Sequence, residues 1–171
     1  MATIHSLVLQ LKFTRSEFKR ALRGLSEEEA GKRFLPMNCI SWNIGHLAWQ
    51  KQRYFLFYAQ GLMPYPGVQK TFAYGAPAST PSLGEVLAYW QKITKLADPW
   101  LESLTSDRLQ EHFLRKDGHP TNRIFGSLLL RIIYHYWYHT GENLAIRRML
   151  GHTKLPVFVG NIDDQAPYLP E

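Results

Sequence analysis

Residues 122–150, NRIFGSLLLRIIYHYWYHTGENLAIRRML, decide how this chain folds, because Leu128, Ile132, His135, His139, Glu142 and Ile146 recur along them at alternating steps of four and three. That period belongs to an α-helix with one seam turned toward other helices. Gly151 follows where a left-handed residue commonly closes a helix. Inside the segment, His135-Tyr136-Trp137-Tyr138-His139 sets two imidazoles about one turn apart on one face.

Three more long segments carry helical stripes. Thr3 to Leu25 spaces Leu7, Leu11, Phe18 and Leu22 among charged residues. Ser26-Glu27-Glu28-Glu29 is a capping box, in which serine oxygen and glutamate carboxylate satisfy opposite amides, so a short helical turn should follow until Pro36. A second long helix is expected from Trp42 to about Gln60, capped by the Ser41 hydroxyl and stopped by Gly61 and Pro64. Ser82-Leu83-Gly84-Glu85 is another capping box, and Val86, Tyr89, Trp90, Ile93, Leu96, Ala97 and Trp100 continue a third long helix to about Leu104. Between them, Pro64, Pro66, Gly67, Gly75, Pro77 and Pro81 make residues 61–81 a long surface connection in which no helix is expected. A polar stretch with Asp117-Gly118-His119-Pro120 precedes the fourth helix.

With no alternating strand pattern and no repeat, these segments predict an all-α helical bundle in a single domain over residues 1–171. The long connection between the second and third helices permits a crossover. One cysteine, Cys39, cannot form an intrachain disulfide, which suits a reducing compartment. The N-terminus has no basic patch leading into an apolar run, and no stretch nears the roughly 18 apolar residues of a membrane span, so a cytoplasmic protein without a membrane segment is expected. A net charge of +6 raises nucleic acid as a partner. The distribution argues for a solvated basic surface instead: Lys12, Arg15, Lys19, Arg20 and Arg23 fall at mixed spacing beside Glu17, while Arg147, Arg148 and Lys154 lie near a helix end.

Two titratable rings on a core-facing seam cost desolvation free energy unless something pairs with them. A divalent cation would satisfy both His135 and His139, and so would hydrogen bonds to neighbouring tyrosines; the pair alone leaves both readings open. His46 shares an apolar face with Trp42 and Trp49, where a lone histidine is usually structural. His5, His112, His119 and His152 fall at termini or loops and suit surface roles. Cys39, with no basic neighbour, fits a small buried apolar residue.

The Ser41-Trp42-Asn43-Ile44-Gly45-His46-Leu47-Ala48-Trp49 segment, together with His135-x-x-x-His139-x-Gly141-Glu142, resembles the DinB-like superfamily of metal-binding four-helix bundles. The likeness runs through nearly the whole chain in element order, and its specific content is these two motifs. It implies an up-down-down-up bundle, frequently a homodimer, in which His46, His135 and His139 hold one divalent ion. Members of that superfamily include thiol-dependent transferases, isomerases that use a low-molecular-weight thiol, and the metal-binding half of sulfoxide synthases. With residues 1–171 read as a single domain, the second domain that such a synthase needs is not expected. It also carries Glu142 where many members have glutamine, so that carboxylate is either a hydrogen-bond partner of a ligand or a fourth ligand.

Three neutral imidazoles would leave a coordination position open, as in catalytic zinc sites. The expected activity is therefore a metal-dependent thiol S-transferase or hydrolase, with a small thiol and an electrophile as partners and Glu142 or Tyr138 assisting proton transfer. The alternative is a non-catalytic, stress-response bundle that the metal pins together. Zinc, nickel, iron and manganese all accept imidazole, and the sequence does not choose among them. Trp42, Trp49, Tyr138 and Arg53 either line a pocket, with Arg53 meeting an anionic group, or are simply core.

Overall fold

The computed structural model describes residues 4–114, 117–157 and 159–169; Thr3, the expected start of the first helix, lies outside them. Helix α1, Ser6–Ala21, opens at His5, whose Nδ1 accepts the Leu7 amide, and buries Val8, Leu11 and Phe18. It ends before Leu25, because Gly24 turns the chain at φ +73°. Helix α2, Glu27–Gly31, carries both bonds of the expected capping box.

Helix α3, Ile40–Lys51, begins earlier than expected, with Cys39 at its N-cap and no side-chain cap. Ser41 sits inside the first turn, fully buried with Oγ 3.2 Å from Cys39 Sγ, so its hydroxyl does no capping. Every residue of α3 is buried, as befits a helix enclosed on all sides. The helix then widens into a π-helical segment, Gln52–Tyr58, before Gly61 turns at φ +71°.

The connection that followed was expected to hold no helix, yet Pro66–Phe72 forms α4. Pro66 occupies the first turn, where a missing N–H leaves nothing unsatisfied and a fixed φ favours the helix; here proline starts an element. Helix α5, Leu83–Glu102, is capped by Ser82 Oγ on the Glu85 amide and tolerates Pro99 near its end. A short α6, Ser106–Gln110, leads into strands β1, His112–Leu114, and β2, Pro120–Ile124, which pair antiparallel with His112 opposite Ile124. This hairpin takes residues 122–124, so α7, Phe125–Met149, starts later than the stripe suggested. Gly151 closes α7 at φ +91°, with Gly151 N bonded to Arg148 O and His152 N to Arg147 O, the paired bonds of a Schellman motif. Helix α8, Ile162–Gln165, lies against α1.

The architecture is all-helical apart from the hairpin. Helix α1 packs on α7, α7 on α3, and α3 on α5. Ion pairs Lys12–Glu102 and Arg15–Asp98 tie α5 back to α1. Between the four long helices, Phe18 meets Tyr136 edge-on at 5.2 Å and Trp90 Nε1 donates to the Tyr136 hydroxyl at 2.6 Å. Two of the cations read as solvated are not: Arg15 and Arg147 are 6% and 5% exposed, and Arg147 donates to the Ala21 carbonyl. Among the described residues no helix is long and apolar enough to cross a membrane.

Candidate metal centre

Where α3 crosses α7, the seam of the long helix meets the second turn of the buried one. His135 and His139, four residues apart, project from α7, and His46 projects from α3 between Trp42 and Trp49. The Trp42 ring stacks on His46 at 4.9 Å and 14°, which locks the imidazole plane. His46 and His139 are 7% and 6% exposed, and His135 is half-buried. One nitrogen from each lies within 4.8 Å of the other two.

The hydrogen bonds fix which nitrogen that is. Nδ1 of His46 is 2.8 Å from the Phe72 carbonyl, Nδ1 of His135 is 2.7 Å from Gln50 Oε1, and Nδ1 of His139 is 2.7 Å from Glu142 Oε2. A carbonyl, an amide oxygen and a carboxylate only accept, so each Nδ1 carries a proton, and in a neutral imidazole Nε2 is then the nitrogen with the lone pair. Nε2 of His135 and Nε2 of His139 then face each other at 2.9 Å. Two lone pairs at that distance repel unless a cation stands between them.

Burial disfavours a proton on His135 or His46 as that cation. Burial pushes His135 down to about 3, and the neighbouring His139 and His46 push the same way. Burial also lowers His46, against the pull of the Phe72 carbonyl. A divalent ion satisfies all three nitrogens at once; zinc–imidazole bonds of about 2.0–2.1 Å would set tetrahedral ligands roughly 3.3 Å apart, against 2.9 Å between the two α7 nitrogens and at most 4.8 Å across the three. The donor set therefore fits a metal. Each imidazole bonded through its far nitrogen to an oxygen is also the arrangement that orients metal-binding histidines and raises their basicity.

Helix α3 holds Glu142 in turn. Asn43 Nδ2 donates to Glu142 Oε2 and to Asn143 Oδ1, each at 2.9 Å. Glu142 thus sits as the hydrogen-bond partner of His139. Tyr138 is 68% exposed, with its ring edge-on to His139 at 5.1 Å. Arg53 is taken up by aromatic rings, its guanidinium 5.4 Å from Trp49 and from Tyr58 and donating to the Tyr58 hydroxyl.

The family model of the DinB superfamily matches this chain over residues 10–142. The chain belongs to the DinB superfamily. Comparison with curated proteins gives no match. The superfamily match takes in His46, His135, His139 and Glu142, so it covers the whole centre.

The remaining histidines stand apart from it. His5 caps α1, His112 bonds the Thr121 carbonyl across the hairpin, and His152 links Arg147 to Glu29, a half-buried tie rather than a surface role. Cys39 is fully buried, as expected. A groove of about 580 Å³ beside the hairpin, lined by Phe57, Tyr58, Phe113, Leu114 and Arg123 among others, contains none of the centre's residues. Gln50, Asn43 and the Phe72 carbonyl are participants that the sequence did not single out. Gln50 could have been found, since it lies one helical turn after His46; a backbone carbonyl carries no signal of its own.

Proposed function

We propose that this DinB-superfamily protein binds one divalent ion through Nε2 of His46, His135 and His139 and uses it to activate a small thiol against an electrophile, with water as the alternative nucleophile. The observation that carries the reading is the convergence of three bare Nε2 atoms, two of them at 2.9 Å, each imidazole tied by its Nδ1 to an acceptor. Once bound, the ion supplies a positive charge that keeps a thiol or a water deprotonated near neutral pH. Zinc, nickel, iron and manganese remain the candidates.

The chain's own groups have separate tasks. Trp42, Gln50 and Phe72 hold the imidazoles in one tautomer and orientation. Glu142, whose Oε2 accepts from His139 and whose side chain is 21% exposed, is the group assigned to take the proton of an incoming thiol. Tyr138, exposed beside His139, is the alternative group for that proton transfer. In the transfer, sulfur forms a bond to the electrophilic carbon as the bond to the leaving group breaks, and the leaving group departs with the electron pair.

The test is turnover of a small thiol with a chromogenic aryl halide by zinc-loaded protein. Transfer is expected, with Glu142→Gln slower by about 10²-fold at unchanged metal content. Absence of transfer with any small thiol, together with a large fall in melting temperature on chelation, would leave the second reading. That reading, favoured by the near-complete burial of His46 and His139, is a metal pin between α3 and α7.

A further inference from the structure

Helix α4 is fastened to α3 and its π-helical continuation at four points, and residues 45, 46, 49 and 52 that make them recur at helical steps along one face. Gln52, fully buried, donates from Nε2 to the Tyr65 carbonyl at 3.0 Å and accepts the Tyr65 amide at 2.9 Å, so one side chain closes both backbone groups of the residue before α4. Trp49 Nε1 donates to Gln69 Oε1 at 2.6 Å in the middle of the helix. At its end the Phe72 ring covers Gly45 so closely that a Cβ there would lie 2.5–2.8 Å from three ring carbons. The carbonyl of the same Phe72 accepts His46 Nδ1–H.

These ties leave Phe72 little freedom. Gln52 fixes where α4 begins, Gln69 fixes its rotation, and the absence of a side chain at Gly45 sets how near Phe72 can come. We infer that α4 is a positioning clasp for the metal centre: Gly45 and the Trp49–Gln69 bond hold the Phe72 carbonyl where it aims His46 Nε2 inward, and metal occupancy in turn orders residues 66–72. The inference rests on the metal-binding reading. Reciprocity follows from linkage, since whatever the docked clasp contributes to metal affinity, the metal must return to clasp docking by the same factor. A segment that looks like a surface connection therefore controls a centre it touches through one backbone atom.

The experiment measures zinc affinity by competition with a chromophoric chelator, and hydrogen exchange across residues 66–72 with and without zinc. It compares wild type with Gly45→Ala, Gln69→Ala and the double variant Gly45→Ala/Phe72→Ala. Gly45→Ala is expected to weaken zinc binding about 10- to 100-fold, and Gln69→Ala, on a half-buried side chain, several-fold. In wild type, zinc should slow exchange in 66–72. The double variant, whose new methyl enters space the ring has vacated, should bind zinc more tightly than Gly45→Ala. Wild-type zinc affinity in both single variants, with exchange in 66–72 indifferent to zinc, would overturn the clasp and leave the metal centre standing. A wild type that takes up no zinc would overturn both.

Discussion

Lys51 is the residue whose chemistry is most at odds with its surroundings. It is 1% exposed, its Nζ lying 4.1 Å from the centre of the Trp90 ring and bonded to the Trp90 carbonyl and Thr94 Oγ1. Burial holds the ammonium well below its ordinary 10.5; Arg15 adds to the shift and Asp98 opposes it. Between the folded value and 10.5 the unfolded chain carries one more proton than the folded one, so this group makes stability rise with pH across that window. Lys51→Met removes the titration, and Thr94 keeps its own bond to the Trp90 carbonyl. The variant is expected to be at least as stable as wild type at pH 7, with wild type gaining on it as pH climbs toward 10.5. Urea denaturation of both proteins at several pH values checks this; a gap that stays flat with pH would refute it. None of this was readable in the sequence, where Lys51 looks like any cation after an apolar run. His135 and His139 were readable, because two imidazoles on a strict 3.6-residue seam can only meet inside the bundle.

Helix boundaries followed from local chemistry wherever one residue type had one use. The Ser26–Glu29 box and the Gly151 stop were both found as expected. Residues with two uses misled: Pro66 starts α4, Ser41 sits within α3, and Asn122 belongs to a hairpin that non-local pairing with His112–Leu114 creates. The contrast between Gly141 inside α7 and Gly151 just past its end tests how far the local reasoning holds. A Cβ at Gly141 or at Gly151 meets nothing within 4 Å, so only backbone conformation separates them. Gly141 is helical, and Gly141→Ala should stabilise by about 0.5–1 kcal/mol. Gly151 sits at φ +91°, and Gly151→Ala should cost about 1–2 kcal/mol. Denaturant midpoints of the two variants measure both signs, and equal signs would contradict the assignment of the helix end.

At the scale of the whole molecule, the four long apolar stripes were enough to predict an all-helical protein, while the expectation that His46 joins His135 and His139 at one centre came from the superfamily resemblance that the two motifs carry. The partners that orient the imidazoles were not legible, because Gln50, Asn43 and Phe72 acquire their roles only when α3, α4 and α7 pack together. The central claim is that His46 of α3 and the two histidines of α7 share one divalent ion. Its most direct test is metal content by elemental mass spectrometry on tag-free wild type, His46→Ala and His135→Ala purified side by side. The account predicts about one divalent ion per chain in wild type and its loss in both variants, since removing any one of three ligands opens the site. Wild type without metal and without uptake on adding zinc, nickel, manganese or ferrous iron, or variants that keep the wild-type content, would contradict it.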